Sequence, residues 1–168
     1  MKTSKKILLA TAILTFLLLV IGLFVVRNDL QTLHMKEMAL FKYEQVKIDH
    51  FTGLDFSGPW IVKIRNGKDY KVEMEEGTAK ASVENRGGTL CFNTDGEGSR
   101  RAKITVPFLQ TLRAKQGTRI EMTDFKLDSI IVVLEDSATF KGKRNKFKQA
   151  SFASTGKTWL EFVDNLDL

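Results

Sequence analysis

The sequence predicts an all-β domain: a β-helix-like solenoid with a hairpin-rich N-terminal part, preceded by one transmembrane helix. Three observations predict this architecture. They are an uncharged apolar run near the N-terminus, alternating strand-like segments from Val46 onward, and a repeat of about 20 residues between Pro107 and Trp159. A repeat of this length, filled with alternating apolar residues, is typical of coils that stack on one another and bury each other's inner faces.

The apolar run at residues 7–26 contains no charged side chain and is long enough to cross a hydrocarbon core of about 30 Å as a helix. Lysines within residues 1–6 predict a cytoplasmic N-terminal tail by the positive-inside rule. The only Ala-x-Ala pattern, at residues 10–12, lies inside the run, so an uncleaved signal anchor is favoured over a cleaved signal peptide. Residues 27–46 are then a juxtamembrane spacer, and residues 47–168 form the exported β domain.

Short alternating segments separated by turn residues predict the strands of the N-terminal part. Strands are expected at residues 46–51, 53–56, 60–64, 70–74, 81–84, 89–92 and 102–106. Gly87 and Gly88 supply the positive φ angles of a tight turn, so residues 81–92 are predicted to form a hairpin. Asn66 and Gly67 predict another tight turn after the third strand.

The repeats predict which side chains face the interior of the stack. Small residues mark the coil corners, at offsets of 20 and then 19 positions, because the chain bends there. These corners are Gly117, Ser137 and Gly156. The same offsets predict that Ile120, Phe140 and Trp159 form one interior column. Further columns are expected at Leu112 and Val132, and at Ala114, Leu134 and Ala153. The acidic stretch 161–168 is expected to cap the last coil.

Several stretches of this chain carry a resemblance to a known family. They are FTGLDFSG at residues 51–58, residues 62–64, residues 88–90, and ITVPFL at residues 104–109 followed by Leu112 and Gly117. In these stretches the chain resembles the autotransporter adhesin head family, or GIN-domain family, of bacterial envelope proteins, over residues 47–160. The resemblance implies a β-helix-like solenoid after a hairpin-like region, and an envelope location. It implies no established activity.

Charge and composition exclude several classes of function. The net charge is +6, but beyond residue 26 the chain carries 23 basic and 20 acidic residues, so no nucleic-acid partner is predicted. Cys91 is the only cysteine, so an intramolecular disulfide is impossible. The two histidines, His34 and His50, have neither the spacing of metal ligands nor a nucleophile beside them. No cofactor, metal site or catalytic set is therefore predicted.

The densest basic run is the candidate binding site. It consists of Lys141, Lys143, Arg144, Lys146 and Lys148. Two interpretations stay open. The run binds an acidic polysaccharide, an anionic lipid or the membrane surface, or it is a solvated turn whose charges discourage edge-to-edge aggregation.

Acidic residues offer an enzymatic alternative, because paired carboxylates on a β-helix can cleave glycosides. The candidates near the coil corners are Asp124, Asp128, Glu135 and Asp136. The polar stretch at residues 93–97 has oxygen ligands but lacks the spacing of a calcium-binding EF-hand, so it is predicted to be a plain loop.

Together these features predict a membrane-anchored, non-enzymatic envelope protein. It is expected to be a single-pass protein of the bacterial inner membrane with a periplasmic C-terminal domain. The β domain is expected to act as a binding, adhesion or scaffold module for an envelope polysaccharide, an anionic lipid or another envelope protein. Two alternatives stay open: a polysaccharide-active β-helix enzyme, and a structural subunit that self-associates through the exposed end of the stack.

Overall fold

The structure, a computed structural model, describes residues 42–77, 81–94 and 98–163, and its regular elements there are all β-strands. The strands are β1 (Tyr43–Val46), β2 (Gly53–Ser57), β3 (Trp60–Asn66), β4 (Lys71–Glu75), β5 (Ala81–Arg86), β6 (Thr89–Thr94), β7 (Arg100–Val106), β8 (Thr111–Lys115), β9 (Arg119–Thr123), β10 (Lys126–Glu135), β11 (Thr139–Lys143), β12 (Lys146–Thr155) and β13 (Trp159–Val163). The all-β prediction is confirmed for this part of the chain.

The predicted transmembrane helix lies outside the described residues, as do the N-terminal tail and the spacer up to residue 41. In the part that is described, no helix has the length and apolar character needed to cross a membrane. The end of the predicted spacer, 27–46, forms strand β1, which pairs with β4. The described strands belong to one compact unit that begins at Tyr43.

The strands form two mixed sheets. The seven-stranded sheet has the order β1-β4-β7-β3-β9-β11-β13, and the six-stranded sheet has the order β12-β10-β8-β2-β6-β5. The pairs β1–β4, β4–β7 and β5–β6 are antiparallel, and the other neighbouring pairs are parallel. Parallel pairing requires the chain to cross over between paired strands, and here the crossover runs through the opposite sheet.

Two consecutive strands joined by a corner, one in each sheet, form what we call a rung. The rungs are β2–β3, β6–β7, β8–β9, β10–β11 and β12–β13. The β2–β3 rung lies between β6–β7 and β8–β9, so the N-terminal part contributes parallel rungs to the same stack. The hairpin-rich region predicted there is reduced to the β5–β6 hairpin and the antiparallel strands β1 and β4.

The last three rungs repeat at a constant offset. Thr111, Ile131 and Ser151 stand opposite one another in one sheet. In the other sheet, Lys141 and Glu161 stand opposite each other and are 20 residues apart in the sequence, and the same offset holds between β9 and β11. Three predicted interior pairs are confirmed, in register and buried: Ile120 with Phe140, Leu112 with Val132, and Ala114 with Leu134.

The shorter offset predicted for the last coil is wrong by one residue. Because β11 and β13 pair at the same offset as the earlier rungs, Leu160 rather than Trp159 stands opposite Phe140. A shift of one residue turns a strand side chain to the other face of the sheet, and Trp159 is accordingly 65% exposed. For the same reason Ala153 pairs with Val133 and leaves its predicted column.

The predicted turns have two different outcomes. The hairpin is confirmed, with Gly87 and Gly88 at φ angles of 58° and 81° between β5 and β6. Asn66 and Gly67 do not form a hairpin turn, because β3 pairs with β7 and β9 rather than with β4. A side chain at Gly67 would collide with Thr105, so glycine is needed there for close approach. The strand predicted at 46–51 is also wrong, since β1 ends at residue 46.

The core lies between the two sheets and is richest in aromatic rings around the N-terminal rungs. Phe56 stacks on Phe92 with ring centroids 4.6 Å apart, and Trp60 meets Phe92 edge-on at 5.5 Å. All three side chains are fully buried, and each contributes about 1.5–3 kcal/mol to the free energy of folding. Because the inward positions are filled with packed side chains, any binding site must lie on an outward face, a corner or an end of the stack.

Candidate binding surfaces

The five residues of the predicted basic run do not share one face. Lys141 and Lys143 lie on β11 and point outward from the seven-stranded sheet. Arg144 occupies the corner, and Lys146 and Lys148 lie on β12 in the six-stranded sheet. The stretch is therefore divided by a bend of the chain, which a linear sequence pattern does not reveal.

Acidic side chains from neighbouring rungs neutralise four of these cations. Lys141 Nζ lies 2.9 Å from Glu161, Lys143 Nζ lies 2.9 Å from Glu121, Arg144 contacts Asp124 at 2.7 and 2.9 Å, and Lys148 Nζ lies 2.7 Å from Asp128. Lys141 and Arg144 are each 20 residues away from their acid in the sequence, which is the offset between rungs. The basic run thus belongs to a set of charge pairs between rungs, and its binding of anions stays a prediction.

The corner at residues 122–125 and 144–145 is built from polar side chains that link two rungs. Asp124 and Arg144 both have left-handed φ angles, 65° and 51°, and the guanidinium donates two hydrogen bonds to the carboxylate. These hydrogen bonds hold the pKa of Asp124 below its usual range. Buried Asn145 donates to the carbonyl of Met122 and accepts from the N–H of Phe125. This corner was not predicted from the sequence, because the residue 20 positions after Asp124 is Arg144, which is not a residue type that favours a positive φ.

The outward side chains of the seven-stranded sheet form a charged face. Its central row follows the register across all seven strands: Gln45, Glu73, Lys103, Lys63, Glu121, Lys141 and Glu161. Neighbouring strands are about 4.8 Å apart, so opposite charges in adjacent positions attract across the sheet. The alternation within each strand was visible in the sequence, but the strand order that aligns the charges was not.

Two lysines stand side by side in the middle of this row. Partial burial lowers the pKa of Lys63, although the charge of Glu121 opposes the effect. Lys103 Nζ lies 3.6 Å from the ring centroid of Tyr43, a cation–π contact at the sheet edge. Burial acts to raise the pKa of Glu121, but the hydrogen bond from Lys143 and the nearby lysines outweigh it, so this pKa lies below its usual value. Glu121 therefore interacts with several cations of the charged face.

A second row on the charged face carries cations and threonines over five strands and ends at Val163 on β13. In register it reads Lys71, Thr105, Arg65, Thr123 and Lys143, so a basic residue stands on every second strand. The spacing between the basic residues is about 9.6 Å, twice the distance between strands. Lys71 and Lys143 also contact Glu73 and Glu121 of the central row at 2.9 Å, and Arg65 is exposed. We call this row the basic stripe.

The acidic residues considered for glycoside chemistry do not converge. Asp124 and Asp128 lie at one end of β10, and Glu135 and Asp136 lie at the other. The stretch of strand from Asp128 to Glu135 spans about 23 Å, whereas catalytic carboxylates stand about 5–9.5 Å apart. Asp124 and Asp128 are also engaged in ion pairs with Arg144 and Lys148.

The outward face of the six-stranded sheet carries charged, polar and apolar side chains. It carries a shallow cavity of about 340 Å³ lined by Asp55, Thr89, Thr111, Arg113, Ile131 and Val133, among others. Cys91 is a half-buried free thiol on the same sheet. Within residues 42–77, 81–94 and 98–163, no group of three or more His, Cys, Asp or Glu side chains is placed to hold a metal ion. Residues 95–97 of the polar loop lie outside the described part.

A family model described as "Putative auto-transporter adhesin, head GIN domain" matches residues 50–163. The chain belongs to this GIN-domain family, and the resemblance found in its sequence is confirmed. Among functionally curated proteins, none matches the chain.

Solved structures of similar proteins are distant from this chain. A "putative adhesin" from Bacteroides fragilis has a TM-score of 0.38 and 10% identity, over 73% of this chain and 97% of that one. A "putative lipid binding protein" from Parabacteroides distasonis has a TM-score of 0.49 and 14% identity, over 72% of this chain and 66% of that one. A "putative cell adhesion protein" from Clostridium sporogenes has a TM-score of 0.35 and 10% identity, over 73% of this chain and 98% of that one. None of these is similar enough for its function to be transferred.

Proposed function

We propose that this chain is a membrane-anchored, non-enzymatic envelope protein whose β domain binds an anionic envelope polymer on its charged face. Membership of the GIN-domain family supports a binding or adhesion role. The parallel rungs, which stay in register at a constant offset, support a β-helix-like solenoid as the scaffold. A rigid scaffold of this kind presents side chains at regular intervals along a flat surface.

The basic stripe is the observation that carries this proposal. Its cations recur on every second strand, with Thr105 and the buried Thr123 between them. A linear polymer with regularly spaced anionic groups fits such a row better than a compact ligand does. Glu73 and Glu121 compete with the polymer for Lys71 and Lys143. Binding of the polymer is therefore expected to be weak at each site and to depend on many sites together.

The anchor and its location are proposed from the N-terminal sequence. The uncharged run at residues 7–26 has the length of a membrane-spanning helix, and the lysines before it favour a cytoplasmic N-terminus. This arrangement puts the β domain of a bacterial inner-membrane protein in the periplasm. The partners proposed there are an acidic envelope polysaccharide, an anionic lipid surface or another envelope protein.

Binding of the full chain in detergent to an immobilised acidic polysaccharide tests the proposal. We expect Arg65→Gln to weaken binding about tenfold, because a charge-assisted hydrogen bond contributes about 1.5–3 kcal/mol. The matched control is Arg113→Gln, an exposed arginine on the outward face of the other sheet, which should bind like the wild type. Raising the salt concentration should weaken binding through screening.

Two results would contradict the proposal. Equal losses in Arg65→Gln and Arg113→Gln would mean that the charged face is not the site. Equal binding of a neutral polysaccharide would mean that charge does not select the ligand. Liposomes with and without anionic lipid, used in the same assay, distinguish a membrane surface from a polysaccharide.

A further inference from the structure

The β12–β13 rung leaves one end of the stack open. Its inward positions hold Phe152, Leu160 and Phe162, which are 39%, 42% and 39% exposed. On the preceding rung, Val132 stands in register with Phe152, and Phe140 with Leu160. Both Val132 and Phe140 are completely buried. Inward side chains are covered by the next rung, and no described strand lies beyond β12 and β13. Of the cap predicted at 161–168, residues 161–163 belong to β13 and residues 164–168 lie outside the described part. We call this surface the open end.

The two ends of the stack are protected to different degrees. At the far end, β1 has only four residues, and β5 carries the exposed ion pair of Glu84 and Arg86. Short strands and charged side chains are what proteins use to prevent pairing at a sheet edge. At the open end, β12 has ten residues, and residues 149–155 contain neither a charge nor a proline. The open end is therefore the one suited to pair with another strand.

We propose that the open end docks against the open end of a second copy of this chain. Two edges are exposed there together, one from each sheet, at the separation of packed sheets, about 10 Å. A single extended peptide pairs with only one of them. A second copy presents the same two edges at the same separation, and a two-fold axis makes the two surfaces self-complementary.

Charge and size are compatible with this pairing. Two charged residues of the last rung are compensated within the chain, since Glu161 contacts Lys141 at 2.9 Å and Lys148 contacts Asp128 at 2.7 Å. These ion pairs reduce the repulsion between two like copies. A ten-residue strand is about 33 Å long, so a footprint about 15 Å wide buries about 500 Å² per copy. The total of about 1,000 Å² reaches the lower limit of specific interfaces.

Cross-linking of the full chain in its membrane tests which end pairs. In a Cys91→Ser background, Ser151→Cys places a thiol on β12 at the open end, and Ser82→Cys places one on β5, the opposite edge of the same sheet. Both serines are exposed. We expect a short bismaleimide to link Ser151→Cys into dimers and to leave Ser82→Cys monomeric. Equal cross-linking at both positions, or none at Ser151→Cys, would overturn the proposal.

Sedimentation of the full chain in detergent tests the apolar contact. Phe162→Lys should raise the dissociation constant of the dimer about 30-fold, as for a hot-spot residue at the centre of an interface. Ile131→Lys is the control, because Ile131 is an equally apolar, exposed side chain on an outward face. It should leave the dimer unchanged, and circular dichroism verifies that both variants fold.

Three results would count against the open end as the interface. They are a monomeric wild type, an undiminished dimer in Phe162→Lys, and an equal loss in Ile131→Lys. The dimer should also persist in Arg65→Gln, because pairing at the open end is independent of polymer binding on the charged face. A failure of one proposal is therefore distinguishable from a failure of the other.

Discussion

Asn145 shows how a single side chain can set the position of a bend in this chain. Its amide connects two rungs, since it accepts a hydrogen bond from the N–H of Phe125 at 3.0 Å and donates one to the carbonyl of Met122 at 2.9 Å. The side chain is 4% exposed, so water cannot replace these bonds. Buried backbone groups need such partners wherever the regular ladder is interrupted.

Asn145→Ala should lower the free energy of unfolding by about 1–3 kcal/mol, because it leaves a buried N–H and a buried carbonyl without partners. Chemical denaturation of the full chain measures the effect. Gln149→Ala, at an exposed position of β12, is the control and should change stability by less than about 0.5 kcal/mol. Equal effects of the two substitutions would show that the bend does not depend on Asn145.

Glu121 should make stability depend on acid pH. Its pKa in the folded protein is lower than in the unfolded chain, so its carboxylate stabilises the fold at neutral pH. That contribution is lost as the pH falls through the folded pKa. The side chain is about one-third exposed, which limits the contribution to about 1 kcal/mol or less.

Glu121→Gln should therefore reduce the loss of stability between neutral pH and about pH 3, measured by denaturation at each pH. Glu76→Gln, in an exposed turn, is the control and should follow the wild-type curve. A Glu121→Gln curve parallel to that of the wild type would contradict the role given to this carboxylate.

At the scale of the elements, strand register decides which side chains form the core. The corner residues predict that Trp159 stands opposite Phe140, since Gly156 follows Ser137 by 19 positions. Hydrogen-bonded pairing instead keeps the offset of 20 on both sides of this corner, so Gly156 corresponds to Asp136 rather than to Ser137. An error of one residue in the predicted register of β13 therefore places the exposed Trp159 in the core instead of Leu160.

Phe140→Asp should unfold the β domain, because it replaces a fully buried ring with a carboxylate; such changes cost more than about 4 kcal/mol. Trp159→Asp tests the register directly. Its side chain is outward and 65% exposed, so the melting temperature should fall by only a few degrees. Loss of the folded state in Trp159→Asp would mean that Trp159 rather than Leu160 belongs to the interior column. Retention of the folded state in Phe140→Asp would mean that Phe140 does not lie in the core.

At the scale of the whole molecule, stability should fall from the middle of the stack toward its ends. The rungs β2–β3 and β8–β9 have neighbours on both sides in both sheets, whereas β1, β5, β12 and β13 have one neighbour each. Interior strands open only with most of the structure, and edge strands open locally.

Hydrogen exchange of the full chain should be slowest in β2, β3, β8 and β9 and fastest in β1 and β5. Exchange in β12 should slow as the protein concentration rises, because pairing at the open end protects its backbone. The same rise should leave β5 unaffected, which makes β5 the internal control. Equal protection of all strands from hydrogen exchange would contradict the expected fall in stability from the middle of the stack to its ends.

The candidate binding surface could be predicted only in part. The sequence shows the basic run and the alternation of charged and apolar residues along each strand, since both are local patterns. It does not show that Lys71, Arg65 and Lys143 form one row, because β4, β3 and β11 are brought into register by strands that come from other parts of the chain. Nor does it show the acids that neutralise the run.

The amino-acid sequence by itself determined the all-β class, the β5–β6 hairpin, the corner positions and three interior pairs of the repeats. Each of these depends on residues close in the chain or on a constant period. Only the tertiary structure decided that the β2–β3 rung stands between β6–β7 and β8–β9, that the last rung keeps the offset of the rungs before it, and that one end of the stack is left open. Strand order and register depend on hydrogen bonds between distant segments, and local side-chain patterns do not specify which segments meet.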